Sequence, residues 1–146
     1  MSNITYIKNP KLDINPAKKP LLIHLQNSST NLPSLLKSYD IVVVYVYGEW
    51  CRPCKIVGPK YMEMAKSLIN EPNIIFCKDD ISSPHTNFNG KSGFKKVNGV
   101  PSLFIFYKGQ EAQYILGGDL EKLTEDLNKL LDANSANCPP ISTNLL

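Results

Sequence analysis

The chain has 146 residues, with 16 basic side chains against 13 acidic ones and a formal charge of +3. That length suits one domain around one core, and 42% apolar with 20% charged residues is the balance of an ordinary globular protein. The lysines are scattered apart from Lys18-Lys19 and Lys95-Lys96, which excludes the clustered basic face of a nucleic-acid binder, and no apolar run approaches the ~18–20 residues of a membrane-spanning helix.

The first ten residues contain no continuous apolar stretch of the kind a signal peptide carries, so an intracellular, cytoplasmic location is expected. Residues 1–20 hold Pro10, Pro16 and Pro20 with no sustained periodicity, and read as an irregular N-terminal extension. Leu21-Leu22-Ile23-His24-Leu25 reads as the first strand, with His24 structural. Asn27-Ser28-Ser29-Thr30 is turn and cap chemistry, and residues 31–38 follow as a short helix with Pro33 in its first turn.

Ile41-Val42-Val43-Val44-Tyr45-Val46-Tyr47 is β-branched, aromatic and too short for a typical helix, which predicts a strand buried on both faces. Gly48-Glu49 turns the chain, and a helix is expected from Cys51 to about residue 70. Met62, Ala65, Leu68 and Ile69 fall on one face of it, and Pro59 should kink it. Residues 73–78 read as the next strand. A helical crossover between two strands makes them parallel neighbours. Cys77 within that strand reads as a small buried hydrophobe.

Residues 81–96 are broken by Pro84, Gly90 and Gly93, so a short or interrupted helix with an inserted loop is expected there, with His85 exposed. Residues 102–107 form a strand, Lys108-Gly109-Gln110 turns, and residues 112–116 return as its hairpin partner. Asp119 caps a last helix whose apolar stripe is Leu120, Leu123, Leu127, Leu130 and Leu131. Residues 134–146 read as a flexible C-terminal tail that carries Cys138.

The chemistry centres on Trp50-Cys51-Arg52-Pro53-Cys54-Lys55. Cys51 is expected at or near the start of a helix, where unsatisfied N–H groups and the positive end of the macrodipole stabilise a thiolate. Arg52, the chain's single arginine, and Lys55 add positive charge, and Pro53 sits in the first turn, where its missing N–H costs little. Two intervening residues let Cys54 close a small disulfide ring with Cys51. Cys51 is then the exposed attacker and Cys54 the shielded resolver of a thiol–disulfide exchange. A zinc half-site and a pair of unrelated core cysteines are the other readings. Zinc would need two further ligands, and Cys77, Cys138, His24 and His85 form no second close pair. The strand before and the helix after favour the redox pair.

Residues 47–55, Tyr47-Gly48-Glu49-Trp50-Cys51-Arg52-Pro53-Cys54-Lys55, resemble the active-site signature of the thioredoxin family, and Pro59 matches the proline that kinks the helix there. Gly99-Val100-Pro101-Ser102-Leu103 resembles the family's cis-proline segment, and Gly117-Gly118 its glycine beside the substrate groove. The resemblance spans about residues 21–133. It implies an α/β thioredoxin fold, with a central mixed sheet of four to five strands flanked by helices. It also implies reduction of protein disulfides, with Cys51 and Cys54 catalytic. Trp50, Val100, Pro101 and Gly117 would line the substrate groove, and Arg52, Pro53, Tyr45 and Lys78 would tune the pair. The expected partners are disulfide-containing proteins and a thioredoxin reductase or other dithiol donor, with no cofactor, metal, nucleic acid or membrane.

Two positions depart from the family. Tyr45 stands where thioredoxins usually carry a buried carboxylate that helps deprotonate the resolving thiol; a phenol, with a reference pKa of ~10, can mainly donate a hydrogen bond. Arg52 stands where glycine is usual, and its charge should favour the thiolate and the reduced form. Tyr45 and the long segment over 81–96 motivate the alternative, a thioredoxin-fold interaction module with weak or no redox turnover.

Overall fold

The computed structural model describes residues 19–25 and 31–134. The extension over 1–18, the turn residues Asn27 to Thr30, and the tail from 135 with Cys138 lie outside the described residues. In chain order the elements are β1 (Ile23–His24), α1 (Leu32–Ser38), β2 (Ile41–Tyr47), α2 (Cys54–Ser67), β3 (Ile74–Asp80), β4 (Ser102–Tyr107), β5 (Gln110–Leu116) and α3 (Leu120–Asn134).

The strands form one mixed sheet in the order β1-β3-β2-β4-β5. β3 pairs in parallel with β1 and β2, and β4 pairs antiparallel with β2 and β5. β2 therefore has a strand on each edge and side chains packed on each face, which is why its apolar residues do not alternate with polar ones. Ile41, Val43 and Tyr45 face a cluster completed by Tyr61 and Ala65 of α2 and Leu123, Leu127 and Leu131 of α3. Val42, Val44 and Val46 face the other cluster, completed by Leu32 and Leu35 of α1 and by Phe88 and Val97.

Several boundaries differ from expectation. Among the described residues β1 has only Ile23 and His24 in the ladder, because it is an edge strand paired with β3 alone. The cap of α1 is Asn31, whose side chain accepts from the Ser34 N–H at 2.9 Å. α2 begins at Cys54 rather than Cys51 and ends at Ser67, after which three-residue turns over 65–71 replace the helical pattern. Its buried face is rotated by one position from the expected one, through Tyr61, Met64, Ala65 and Leu68. β3 runs two residues further, pairing Asp79 with Val46 and Asp80 with Tyr47. No helix forms over 81–101: Pro84 and the positive φ angles of Gly90 (87°) and Gly93 (86°) interrupt it. The β4–β5 hairpin turns on two residues, Lys108 and Gly109, both at positive φ, the conformation whose twist matches the strands.

Lys19, the last but one residue of the irregular extension, is buried against the domain. Its ammonium donates to the carbonyls of Leu68 (3.1 Å), Glu71 (2.6 Å) and Ile74 (2.6 Å). It thus ties together the cap of α2 at Leu68, the turn that follows at Glu71 and the first residue of β3, Ile74, and a cation just past the C-terminal end of a helix is favoured by its dipole.

Candidate active site

The chain leaves β2 at Tyr47 and doubles back, with the Cys51 N–H donating to the Gly48 carbonyl at 3.0 Å. Pro53 then takes helical angles (φ −59°, ψ −28°) as the residue before α2, a position where no N–H is required. The first amide of the helix, that of Cys54, donates to Cys51 Sγ at 3.2 Å. The positive end of α2 is therefore directed at the Cys51 sulfur even though Cys51 itself precedes the helix.

Cys51 and Cys54 are joined in a disulfide with Cα atoms 5.3 Å apart. Cys51 is 3% and Cys54 5% exposed, so the contrast between an open attacker and a shielded resolver is absent in this closed state. Both residues belong to the cluster that α2 and α3 form over the sheet.

Tyr45 lies beneath the pair and is itself buried. Its hydroxyl donates to the Cys54 carbonyl at 2.9 Å. Burial, and then the neighbouring Tyr47, push its pKa up to about 12. At neutral pH it is a donor and supplies no base. Lys78 is its register neighbour on β3, and the Lys78 ammonium stands 4.5 Å from the centre of the Tyr47 ring. Among the described residues it makes no hydrogen bond to either cysteine. Arg52 is exposed.

Among the described residues, exposed charged side chains flank the pair in sequence at Glu49, Arg52 and Lys55, and three large apolar side chains are also exposed. Trp50 is 69% exposed, and Ile56 and Leu116 are 63% and 67% exposed. The Trp50 indole folds back over Gly48, where a Cβ would come within 2.8 Å of it. Ile56 and Leu116 escaped the sequence reading, because a large apolar residue in a helix or at a strand end reads as core until its neighbours are known.

The Val100–Pro101 bond is cis. Val100 packs against the cluster that holds both cysteines, and its backbone N–H and carbonyl make no hydrogen bond among the described residues. The Pro101 carbonyl accepts from the Gly117 N–H at 2.8 Å, with Gly117 at φ 94°. Gly118, the second of the tandem glycines, is needed for space: a Cβ there would run into Val57 Cγ2 of α2 and lie 3.4 Å from Pro101 Cγ. The turn into α3 thereby brings Pro101 and α2 together. Sequence spacing offers no means of telling the glycine that needs its φ from the one that needs its missing side chain.

The family model for Thioredoxin matches residues 23–131. Among similar proteins, "Thioredoxin" of Geodia cydonium is 33% identical over 91 residues, covering 61% of this chain and 78% of that protein. "Thioredoxin M-type, chloroplastic" of Brassica napus is 34% identical over 95 residues, covering 65% of this chain and 50% of that protein. The solved structure of thioredoxin F from spinach chloroplast, long form, superposes with a TM-score of 0.60 at 25% identity, covering 75% of this chain and 86% of that one.

Proposed function

The chain belongs to the thioredoxin family, and from that premise we propose that it reduces protein disulfides by dithiol–disulfide exchange at Cys51 and Cys54. The observation that carries this reading is the Cys51–Cys54 disulfide, with the first amide of α2 on the Cys51 sulfur. In the reduced pair the Cys51 thiolate attacks one sulfur of the substrate disulfide. A bond forms between Cys51 and that sulfur, and the other substrate sulfur leaves as a thiolate. Cys54, deprotonated, then attacks Cys51 and releases the second substrate thiolate. The substrate has gained two electrons and, from solvent, two protons; the enzyme is left as the disulfide. A thioredoxin reductase or another dithiol donor would restore it.

In this reading an extended substrate segment lies along the unpaired Val100 backbone by strand addition, with Pro101 and Gly117 on one side and the Trp50 indole as an apolar wall on the other. Pro53 sets the turn that aims α2, Arg52 favours the Cys51 thiolate, and Lys78 acts through the field it adds beside Tyr47. Among the described residues no helix is long and apolar enough to cross a membrane. The cytoplasm is the compartment we favour, because a pair that cycles needs a reducing supply; similar proteins named chloroplastic make plastids the other compartment to test.

Tyr45 supports the competing reading, an interaction module with weak turnover, since it offers the resolving thiol no base. The deciding experiment is reduction of insulin disulfides by wild type, Cys51→Ser and Cys54→Ser. Turnover in the wild type and its loss in both variants is expected. Turnover that survives both changes, or an inactive wild type that binds its partner as well as the variants do, goes against the enzyme.

A further inference from the structure

The connection from β3 to β4 covers residues 81–101 without helix or strand, so side chains must fix its course. Asp79, near the end of β3, is wholly buried. One of its carboxylate oxygens accepts from the Thr86 hydroxyl. The other accepts from the backbone N–H and the side-chain amide of Asn87, each at 3.1 Å. The Thr86 hydroxyl in turn accepts from the Phe88 N–H at 3.3 Å.

The order continues towards the cysteines. Phe88 stacks on Phe104 of β4 with ring centres 4.7 Å apart, and its carbonyl accepts from the Val97 N–H at 2.9 Å. Val100 lies three residues further on, flanked by Gly99, whose carbonyl accepts from Ser102 Oγ at 2.7 Å. An apolar residue at position 79 would satisfy the core. A buried carboxylate is costly unless it is hydrogen-bonded, and its bonds are directional where apolar contact is not. Asp79 shares a strand face with Ile75 and Cys77, the face turned away from the cluster that holds Cys51 and Cys54.

We propose that Asp79 is a positioning residue for exchange with protein disulfides: its carboxylate holds Thr86 and Asn87 and, through Phe88 and Val97, sets where the Val100 backbone stands beside the cysteine pair. This rests on the reading that a substrate segment lies along Val100. Without the anchor the segment keeps its aromatic contacts through Phe88 and Phe94 and the Val97 bond but loses its directional hold on Thr86 and Asn87, and a substrate must order it on binding. Small disulfides that do not use the groove are indifferent to it.

The test uses the full chain with Thr86→Val/Asn87→Ala, which leaves the core carboxylate in place, and with Asp79→Asn, which keeps an acceptor for Thr86 and loses the one facing Asn87. For the double variant the KM for insulin should rise about three- to tenfold, the equivalent of about one net hydrogen bond. Its kcat, and its rate with 5,5′-dithiobis(2-nitrobenzoate), should stay within about twofold, while the Val97 amide exchanges faster with solvent. Asp79→Asn should fall between wild type and the double variant. An unchanged KM, or insulin and small-disulfide rates that fall together, overturns the role of Asp79 alone. A wild type that reduces the small disulfide but not insulin overturns the protein-disulfide reading, and this role with it.

Discussion

The Tyr45 hydroxyl donates a 2.9 Å hydrogen bond to the carbonyl oxygen of Cys54. That bond places a neutral donor directly under the resolving cysteine. With its pKa pushed up to about 12 by burial, the phenol stays protonated through the whole range in which thiols titrate. Tyr45→Phe should therefore leave the shape of the pH profile for Cys51 alkylation unchanged between pH 5 and about 10, and cost about 0.5–1.5 kcal/mol in urea unfolding for the lost bond. Tyr45→Asp should add a second inflection. A step that disappears from the profile in Tyr45→Phe would show that the phenol titrates there after all.

Arg52 bears on the reduced pair through charge alone, being exposed. In the proposed role its field would favour the thiolate and so the reduced form, which would make the wild type the more oxidising protein. Arg52→Gly should lower the potential by about 10–20 mV in a glutathione titration, the scale of one screened surface charge. A potential equal to or above that of wild type would count against the role.

Much of this architecture is legible in the residues themselves. Ile41–Tyr47 and Ser102–Tyr107 match their expected bounds, because an unbroken run of β-branched and aromatic side chains has few alternatives to an interior strand. The start of α2 is less legible. Cys51, Arg52 and Pro53 form a turn whose composition equally suits a first helical turn, and the two are separated by where backbone N–H groups donate, Cys51 to the Gly48 carbonyl and Lys55 to that of Arg52. Lys19 falls in the irregular extension and Asp79 just past the expected strand, and nothing local marks their partners, which lie in residues 68–74 for one and in residues 86–87 for the other. Burial of a charge is decided by such distant acceptors and donors, and sequence pattern carries no trace of them.

Gly118 fixes how closely α2 approaches the turn into α3. Gly118→Ala would drive a Cβ into Val57 Cγ2, and should cost about 1–3 kcal/mol as overpacking. Val57→Ala removes the obstructing methyl groups. The double variant should be more stable than the sum of the single changes by at least about 0.5 kcal/mol. Strict additivity in chemical denaturation would mean that the backbone shifts freely at this point and that the close approach is not fixed.

Lys19 supplies three carbonyls with a donor. Lys19→Met keeps the apolar stem and removes the ammonium, and should cost about 1–3 kcal/mol at pH 7. The pH dependence has a defined sign. Burial pulls the folded pKa down to about 8 from 10.5, against the opposing pull of Glu71, so between those values the unfolded chain holds more protons than the folded one. The contribution of Lys19 to stability then rises with pH across that window. The margin of wild type over Lys19→Met should widen from pH 8 to pH 10 in urea titrations, and a narrowing margin would contradict the assignment.

The two cysteine environments differ enough to be separated by one reagent. Cys51 receives the first amide of α2, so once reduced its thiolate should form below the ~8.5 of a free thiol. Cys77 is wholly buried, and burial, with Asp79 adding to it, pushes its thiol far up, keeping it protonated. Iodoacetamide at pH 7 should label Cys51 of the reduced chain faster than free cysteine and leave Cys77 unmodified until urea unfolds the protein. Peptide mapping distinguishes both from Cys138, which lies outside the described residues. Labelling of Cys51 no faster than free cysteine would remove the stabilised thiolate, and with it the attack that starts the exchange.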